Sequence, residues 1–223
     1  MSVPSLQAAQ GTFLHAEYSA ESQQCDFRGV FLYNKLTGGN AMYTGEKVKL
    51  RAYKREDIVL AQQYLNDAET KRLLSPGVPY PFTLEEENKW FEKISTNNDN
   101  YSFAVETLEE GKYIGGCGVN GLDWKNSVAT VGIFIGDKNY WGKGYGTDAM
   151  KVLIKFIFEQ MNINKVKLFV YSFNERAVKS YEKSGFKREG VLRQEIFRDG
   201  KYYDEYVMGI LKDEYFATKL QIL

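Results

Sequence analysis

The stretch YWGKGYGTDAM, residues 140–150, sets three glycines at alternate positions, Gly142, Gly144 and Gly146, with Lys143 among them. An apolar run, ATVGIFIG, comes just before it and a long helical pattern follows. The opening amides of such a helix have no intrahelical partner, and its dipole favours an anion. Glycine lets the backbone approach that anion and adopt positive φ. A tight strand-to-helix turn alone would need one glycine, so three favour phosphate binding. Two familiar phosphate loops do not fit. Walker A places Ser or Thr after GK, whereas Gly144 follows Lys143. In the dinucleotide pattern G-x-G-x-x-G the third glycine would stand one position later.

Other chemistry is excluded by residue supply. His15 is the only histidine, and Cys25 and Cys117 are the only cysteines. A multi-histidine metal site is impossible, the two cysteines do not suggest zinc, and no metal is expected. A Ser-His-Asp or Cys-His arrangement would need His15, which lies outside the patterned part of the chain and reads as a solvated residue. The 29 basic and 29 acidic residues balance, which argues against a dedicated nucleic-acid binder. Two cysteines are too few for a disulfide framework and suggest a reducing compartment. No apolar run approaches the ~18 residues of a membrane span. The first basic residue is Arg28, so no charged region opens a secretory signal. These features point to the cytoplasm.

The elements that must position the glycine loop follow from periodicity. Residues 1–42 carry little pattern and form a leader, with the folded domain over 43–223. Met42, behind GGNA, reads as a start, so residues 1–41 are expected to be translated upstream sequence or an extension foreign to the fold; a natural extension packed on the body is the alternative. KVKLRAY alternates as a half-buried strand, and DIVLAQQYLN is a helix with Glu56 and Asp57 at its first turn. SPGVPYPF holds three of the four prolines and is a loop. Thr83 and Glu86 form a capping box for LEEENKWFEKI, and the run Glu85–Glu87 reads as a solvated helix face. YSFAVETL, KYIGGCGVNGL and SVATVGIFIG are strands joined by turns at EEG and DWKN. In TDAMKVLIKFIFEQM the polar residues Asp148, Lys151, Lys155 and Glu159 make one narrow solvated stripe, as on a helix packed against a sheet. KVKLFVY is a strand, NERAVKSYEKSG a helix stopped at Gly185, and the last segment two strands turning at Asp199-Gly200. The order β-α-α-β-β-β-α-β-α-β-β is that of a mixed α/β domain.

The strand VGIFIG, the loop YWGKGYGT, its helix and NERAVKSYEKSGF together closely resemble the GNAT superfamily of acetyl-CoA-dependent N-acetyltransferases, over about residues 45–215. The family loop is Q/R-x-x-G-x-G/A; here Trp141 replaces the usual Gln or Arg, as in the branch of ribosomal-protein alanine N-acetyltransferases. The resemblance implies a mostly antiparallel central sheet flanked by helices, with acetyl-CoA bound at a splayed strand pair. It implies that the loop Trp141, Gly142, Lys143, Gly144, Tyr145, Gly146 and Thr147 holds the pyrophosphate through backbone amides of 142–147. Phe134, Ile135 and Gly136 would pair with the pantetheine arm. Asn174 would hydrogen-bond the cofactor. Tyr181, seven residues on and so on the same helix face, would protonate the leaving thiolate.

One departure concerns the base. Many relatives read A-E-x-G before the loop, where this chain has Ala129-Thr130-Val131-Gly132. Thr130 cannot take a proton near neutral pH. Glu106, Asp123 or a water chain are the alternatives. Cys117, without a nearby histidine, reads as a buried small hydrophobe. The resemblance implies direct acetyl transfer to a primary amine: a protein N-terminus, a polyamine or a small-molecule amine. The FRDGKYYDEYVMGI ending resembles both the ribosomal-protein and the spermidine acetyltransferase branches. A polyamine would favour an acidic acceptor cleft, and Glu85, Glu86, Glu87, Asp204 and Glu205 fall near expected loops. A non-catalytic acyl-CoA-binding or sensing domain is the alternative function, and a homodimer is the expected assembly.

Overall fold

The computed structural model describes residues 43–74, 77–96 and 101–220. The leader expected over residues 1–42 lies outside them.

Seven strands form a single sheet in the order β1-β2-β3-β4-β5-β7-β6. They are β1 (Val48–Arg51), β2 (Ser102–Thr107), β3 (Tyr113–Asp123), β4 (Val128–Ile135), β5 (Lys165–Tyr171), β6 (Lys187–Arg198) and β7 (Lys201–Leu211). Every neighbouring pair is antiparallel except β4 and β5. The helices are α1 (Asp57–Asn66), α2 (Ala68–Leu74), α3 (Leu84–Thr96), α4 (Tyr145–Gln160), α5 (Glu175–Lys183) and α6 (Lys212–Leu220). This is the mixed, mostly antiparallel α/β architecture expected. Helices α2 and α6 were not anticipated. Asp67 starts α2 by accepting the Thr70 amide at 2.9 Å, and Glu214 anchors α6 by accepting the Leu211 amide at 2.9 Å.

The core lies where α4 crosses the sheet. Met150, Leu153, Ile154 and Ile157 of α4 are fully buried, together with Val105, Ile114, Val166 and Met208 from the strands. Of the stripe expected to be solvated, Lys151 and Glu159 are exposed, but Asp148 is not merely a surface acid. Its carboxylate accepts the backbone N–H groups of Glu46, Lys47 and Val48 at 3.0, 2.8 and 3.0 Å. The residues leading into β1 are thereby pinned to the first turn of α4, where a negative charge is favoured.

Two features of the sheet shape the site. First, β4 and β5 pair over only three positions, Val128↔Lys165, Ala129↔Val166 and Thr130↔Lys167, and then part. Beyond Thr130 one edge of β4 is open. Second, β6 carries a bulge between Leu192 and Ile196. Gln194 there has φ 54°, and its amide donates to Asp204 Oδ1 at 2.9 Å. The turn at Asp199-Gly200 forms as expected, with φ 51° and 75°, the left-handed pair of a type I′ hairpin.

Candidate active site

The parting of β4 from β5 opens a cleft of about 1350 Å³. Its residues come from the glycine loop, α5, β4, β5 and the β6–β7 hairpin, with α1, α2 and α3 on one flank.

At one mouth, β4 runs into a short 3-10 turn, Lys138–Tyr140, which Asp137 caps by accepting the Asn139 amide at 3.0 Å. The Trp141 ring N–H donates to the Ile135 carbonyl at 2.5 Å, tying the loop back to the end of β4. Gly142 and Gly144 have φ of +70° and +88°, a region that L side chains rarely adopt. Gly144 is the N-cap of α4, so the amides of Tyr145, Gly146 and Thr147 begin the helix without intrahelical acceptors. Glycines at positive φ that lead into free helix amides form a shape suited to an anion.

Two cations frame the cradle, and neither was singled out from the sequence. Lys47 Nζ donates to the Lys143 carbonyl at 3.1 Å and lies 5.4 Å over the Tyr145 ring. The Arg176 guanidinium stacks 3.5 Å over the Trp141 ring. Desolvation pulls the Arg176 pKa down, though a guanidinium stays charged. Both residues line the cleft. Arg176 lay in plain sight inside the N-x-x-A motif, whereas Lys47 reaches the loop only because Asp148 draws residues 46–48 to α4. The long cleft, the backbone cradle and these cations suit a coenzyme A with its phosphates at this mouth.

At the seam, Asn174 caps α5 by accepting the Ala177 amide at 3.2 Å, which leaves its amide nitrogen to donate into the cleft. Tyr181, two turns on, is 8% exposed and also lines the cleft, with its ring edge-on to Phe186 at 5.9 Å. Desolvation pushes its phenol up to about 12, so it holds its proton throughout the neutral range. Thr147 and Ser180 share a hydroxyl hydrogen bond of 2.8 Å that locks α4 to α5.

Of the residues expected in the site, Gly136, Lys143 and Tyr145 fall outside the lining of the cleft. Gly136 departs from its expected role because its N–H donates to Ile114 of β3 at 2.8 Å, away from the open edge. A side chain at 136 would instead run into Tyr64. The Tyr145 ring packs edge-on to Tyr140 at 4.9 Å. Lys143 is exposed, with its carbonyl turned to Lys47.

At the other mouth the candidate bases sort themselves. Glu106 does not line the cleft; it is paired with Lys49 at 2.7 Å and with Arg51. Burial opposes its charge, but hydrogen bonds from those cations hold its carboxyl below the usual range. Asp123 caps the turn after β3 through Asn126, with contacts of 3.0 and 2.7 Å, outside the cleft. Cys117 is buried, and desolvation pushes its thiol well up, which keeps it from acting as a thiolate. The carboxylates that do reach this end are Glu205 of β7 and Glu195 on the β6 bulge. Glu205 is half-buried; burial, then the charge of Glu195, raises its carboxyl above the usual value. Asp204, its neighbour in sequence, is spent on holding the bulge. Among the described residues no group of His, Cys, Asp and Glu could hold a metal ion, and no helix is long and apolar enough to cross a membrane.

Comparison with known proteins agrees with this geometry. Residues 47–187 match the acetyltransferase (GNAT) domain family. The chain is 30% identical to the uncharacterized N-acetyltransferase p20 of Bacillus licheniformis, over 78% of this chain and 97% of that one. It is 31% identical to spermidine N(1)-acetyltransferase of Escherichia coli K12, over 79% and 92%. The crystal structure of spermidine N-acetyltransferase from Vibrio cholerae, in complex with CoA and spermine, superposes with a TM-score of 0.69 at 27% identity, covering 76% of this chain and 98% of that one. A sheet that splays behind a glycine loop, with family sequence across most of its length, makes this chain a member of the GNAT family and an N-acetyltransferase.

Proposed function

We propose that the protein transfers the acetyl group of acetyl-CoA directly to a primary amine, in a ternary complex assembled across the β4–β5 cleft. The observation that carries this is the parting of the two strands after Thr130, which opens one cleft lined by the anion cradle, by the buried, protonated Tyr181 and by a pair of carboxylates. Acetyl-CoA supplies an activated thioester. The amides of the loop and α4, with Lys47 and Arg176, hold the anionic end. Asn174 donates a hydrogen bond to the cofactor, and the open edge of β4 at Ile133 and Ile135 offers backbone groups to an extended arm, whereas the Phe134 carbonyl faces β3. As the amine nitrogen bonds to the acetyl carbon and the C–S bond breaks, Tyr181 gives its proton to the departing sulfur, and the proton that the acylated nitrogen sheds restores the phenol. Glu205 takes the proton that the ammonium must lose before it attacks.

The acceptor proposed is a small cationic amine of the polyamine class. The spermidine acetyltransferases among its relatives support this, as do Glu195 and Glu205 at the acceptor mouth. The proposal places the protein in the cytoplasm as a homodimer, on its resemblance to the same branch; a concentration-independent monomer mass in light scattering would remove the dimer. The function is tested by incubating the protein with acetyl-CoA and a panel of polyamines, amino acids and N-terminal peptides, following free thiol and product mass. Thiol release coupled to a 1:1 acetylated amine is expected. Binding of acetyl-CoA without turnover on any amine would overturn it.

A further inference from the structure

A second cavity, of about 440 Å³, lies between α1, α3 and the loop before α3. Its walls are aromatic. Tyr53 meets Trp90 edge to face at 5.0 Å and Tyr113 at 6.0 Å, and Tyr80 meets Phe82 at 5.3 Å. It shares Tyr53, Leu65, Trp90 and Phe134 with the main cleft, so the two adjoin beside β4.

A carboxylate is set into this apolar wall. The run Glu85–Glu87 does not behave as one solvated face. Glu85 is exposed. Glu86 closes the capping box, accepting the Thr83 amide at 2.7 Å while its own amide donates to Thr83 Oγ1 at 3.2 Å. Glu87 is 8% exposed, lines the cavity, and makes no ion pair or side-chain hydrogen bond among the described residues. Desolvation raises its carboxyl above the usual value. The Tyr113 hydroxyl, also on the cavity wall, is buried beside Tyr53 without closing a well-formed hydrogen bond. Glu87 feels the charge of Lys71, but that ammonium makes its contacts elsewhere. It donates to the Tyr80 carbonyl and sits 3.7 Å over the Phe82 ring.

Partly desolvated and without a partner among the described residues, the Glu87 carboxylate is open to a ligand of opposite charge that enters the cavity. Aromatic rings around a carboxylate favour one ligand chemistry, an organic cation. We propose that this chamber is the subsite for a second ammonium of the acceptor, so that a di- or polyamine places one amine beside Phe134 and the next charge between Glu87, Tyr53 and Trp90. This rests on the amine acetylation proposed above and adds its selectivity: the chamber reads the charge that does not react. A competing role for Glu87 is to hold Lys71 in place, and the two roles separate experimentally.

The test compares the protein with Glu87→Gln on butylamine, 1,4-diaminobutane and spermidine, with calorimetric titration of spermidine in the absence of acetyl-CoA. The parent should prefer the diamine and spermidine over butylamine in kcat/KM. Glu87→Gln should lose about 10- to 100-fold of that preference through KM, as expected for a buried charge-assisted contact, and bind spermidine correspondingly more weakly. Turnover of butylamine should stay near the parent's. A carboxyl whose pKa is raised on folding favours the fold below its unfolded pKa, and this is lost as pH rises through the folded one. At neutral pH the melting temperature of Glu87→Gln should therefore equal or exceed the parent's. An unchanged preference and unchanged spermidine binding, or a lowered melting temperature with the preference intact, would overturn the subsite and assign Glu87 to Lys71. Failure of every amine to release thiol would instead remove the proposed function, while the calorimetric comparison would still decide the chamber.

Discussion

The two mouths of the cleft are built from different material. The mouth proposed for the cofactor is largely backbone: two glycines at positive φ, the first amides of α4, and the open edge of β4. The mouth proposed for the acceptor is side chains drawn from separate elements: Glu195 and Glu205 from the β6–β7 hairpin, Tyr53 before α1, Trp90 from α3. A backbone device needs few residue types at fixed spacing, so it leaves a motif. A side-chain device needs only that distant positions converge, so it leaves none. On the proposed function, the first mouth binds a constant cofactor while the second is free to differ in what it accepts.

Predictions that try this contrast begin with the acceptor mouth. Glu205→Gln should lower turnover by ~10²–10⁴, the usual worth of a general base, while acetyl-CoA affinity stays near the parent's. Because burial and Glu195 raise the Glu205 carboxyl, the acid limb of the parent's pH–rate profile should lie above that of an ordinary glutamate, and it should vanish in the variant. A retained limb would assign the proton to another group.

At the cofactor mouth, Gly144→Val forces a β-branched residue to φ +88° at the N-cap of α4. Acetyl-CoA binding should weaken at least ~10-fold, about 1.4 kcal/mol. Unchanged affinity in a folded variant would place the anion elsewhere.

The smallest expected effect on acetyl-CoA binding comes from the support beneath that mouth. Asp148→Ala leaves the Glu46, Lys47 and Val48 amides without their carboxylate. Stability should fall by about 1–3 kcal/mol, with a modest further loss of acetyl-CoA affinity as Lys47 loses its anchor. A parental melting temperature would show that solvent replaces those contacts.

How much of this was legible in the sequence follows the same division. The strands and helices around the glycine loop fall where periodicity puts them, because α4 must bury one broad face against the sheet and β5 alternates on it. The short helix α2 was missed although Asp67 could have marked its start, since seven residues carry too little period to stand out. Asp148 was read as solvated because helical spacing cannot show that residues about a hundred positions away bring their amides to it. Glu87 was grouped with Glu85 and Glu86 for the same reason: adjacent acids on a helix point in different directions, and only the docking of α3 against Tyr53 and Tyr113 decides which one is buried. Glu205 stood among the acids noted near expected loops, but it lies on β7, and its place in the cleft depends on how that strand pairs with β5 and β6.

The central claim is that the two mouths meet at one proton donor, the buried phenol of Tyr181. Tyr181→Phe keeps the ring against Phe186 and removes only the hydroxyl. The decisive measurement is single-turnover acetylation of spermidine by this variant, beside acetyl-CoA affinity and melting temperature. The account predicts a fall in rate of ~10²–10⁴, weighted to the low end because a thiolate leaves readily, with affinity and melting temperature close to the parent's. Near-parental rate in a folded variant that binds acetyl-CoA would contradict it and leave Tyr181 a packing residue.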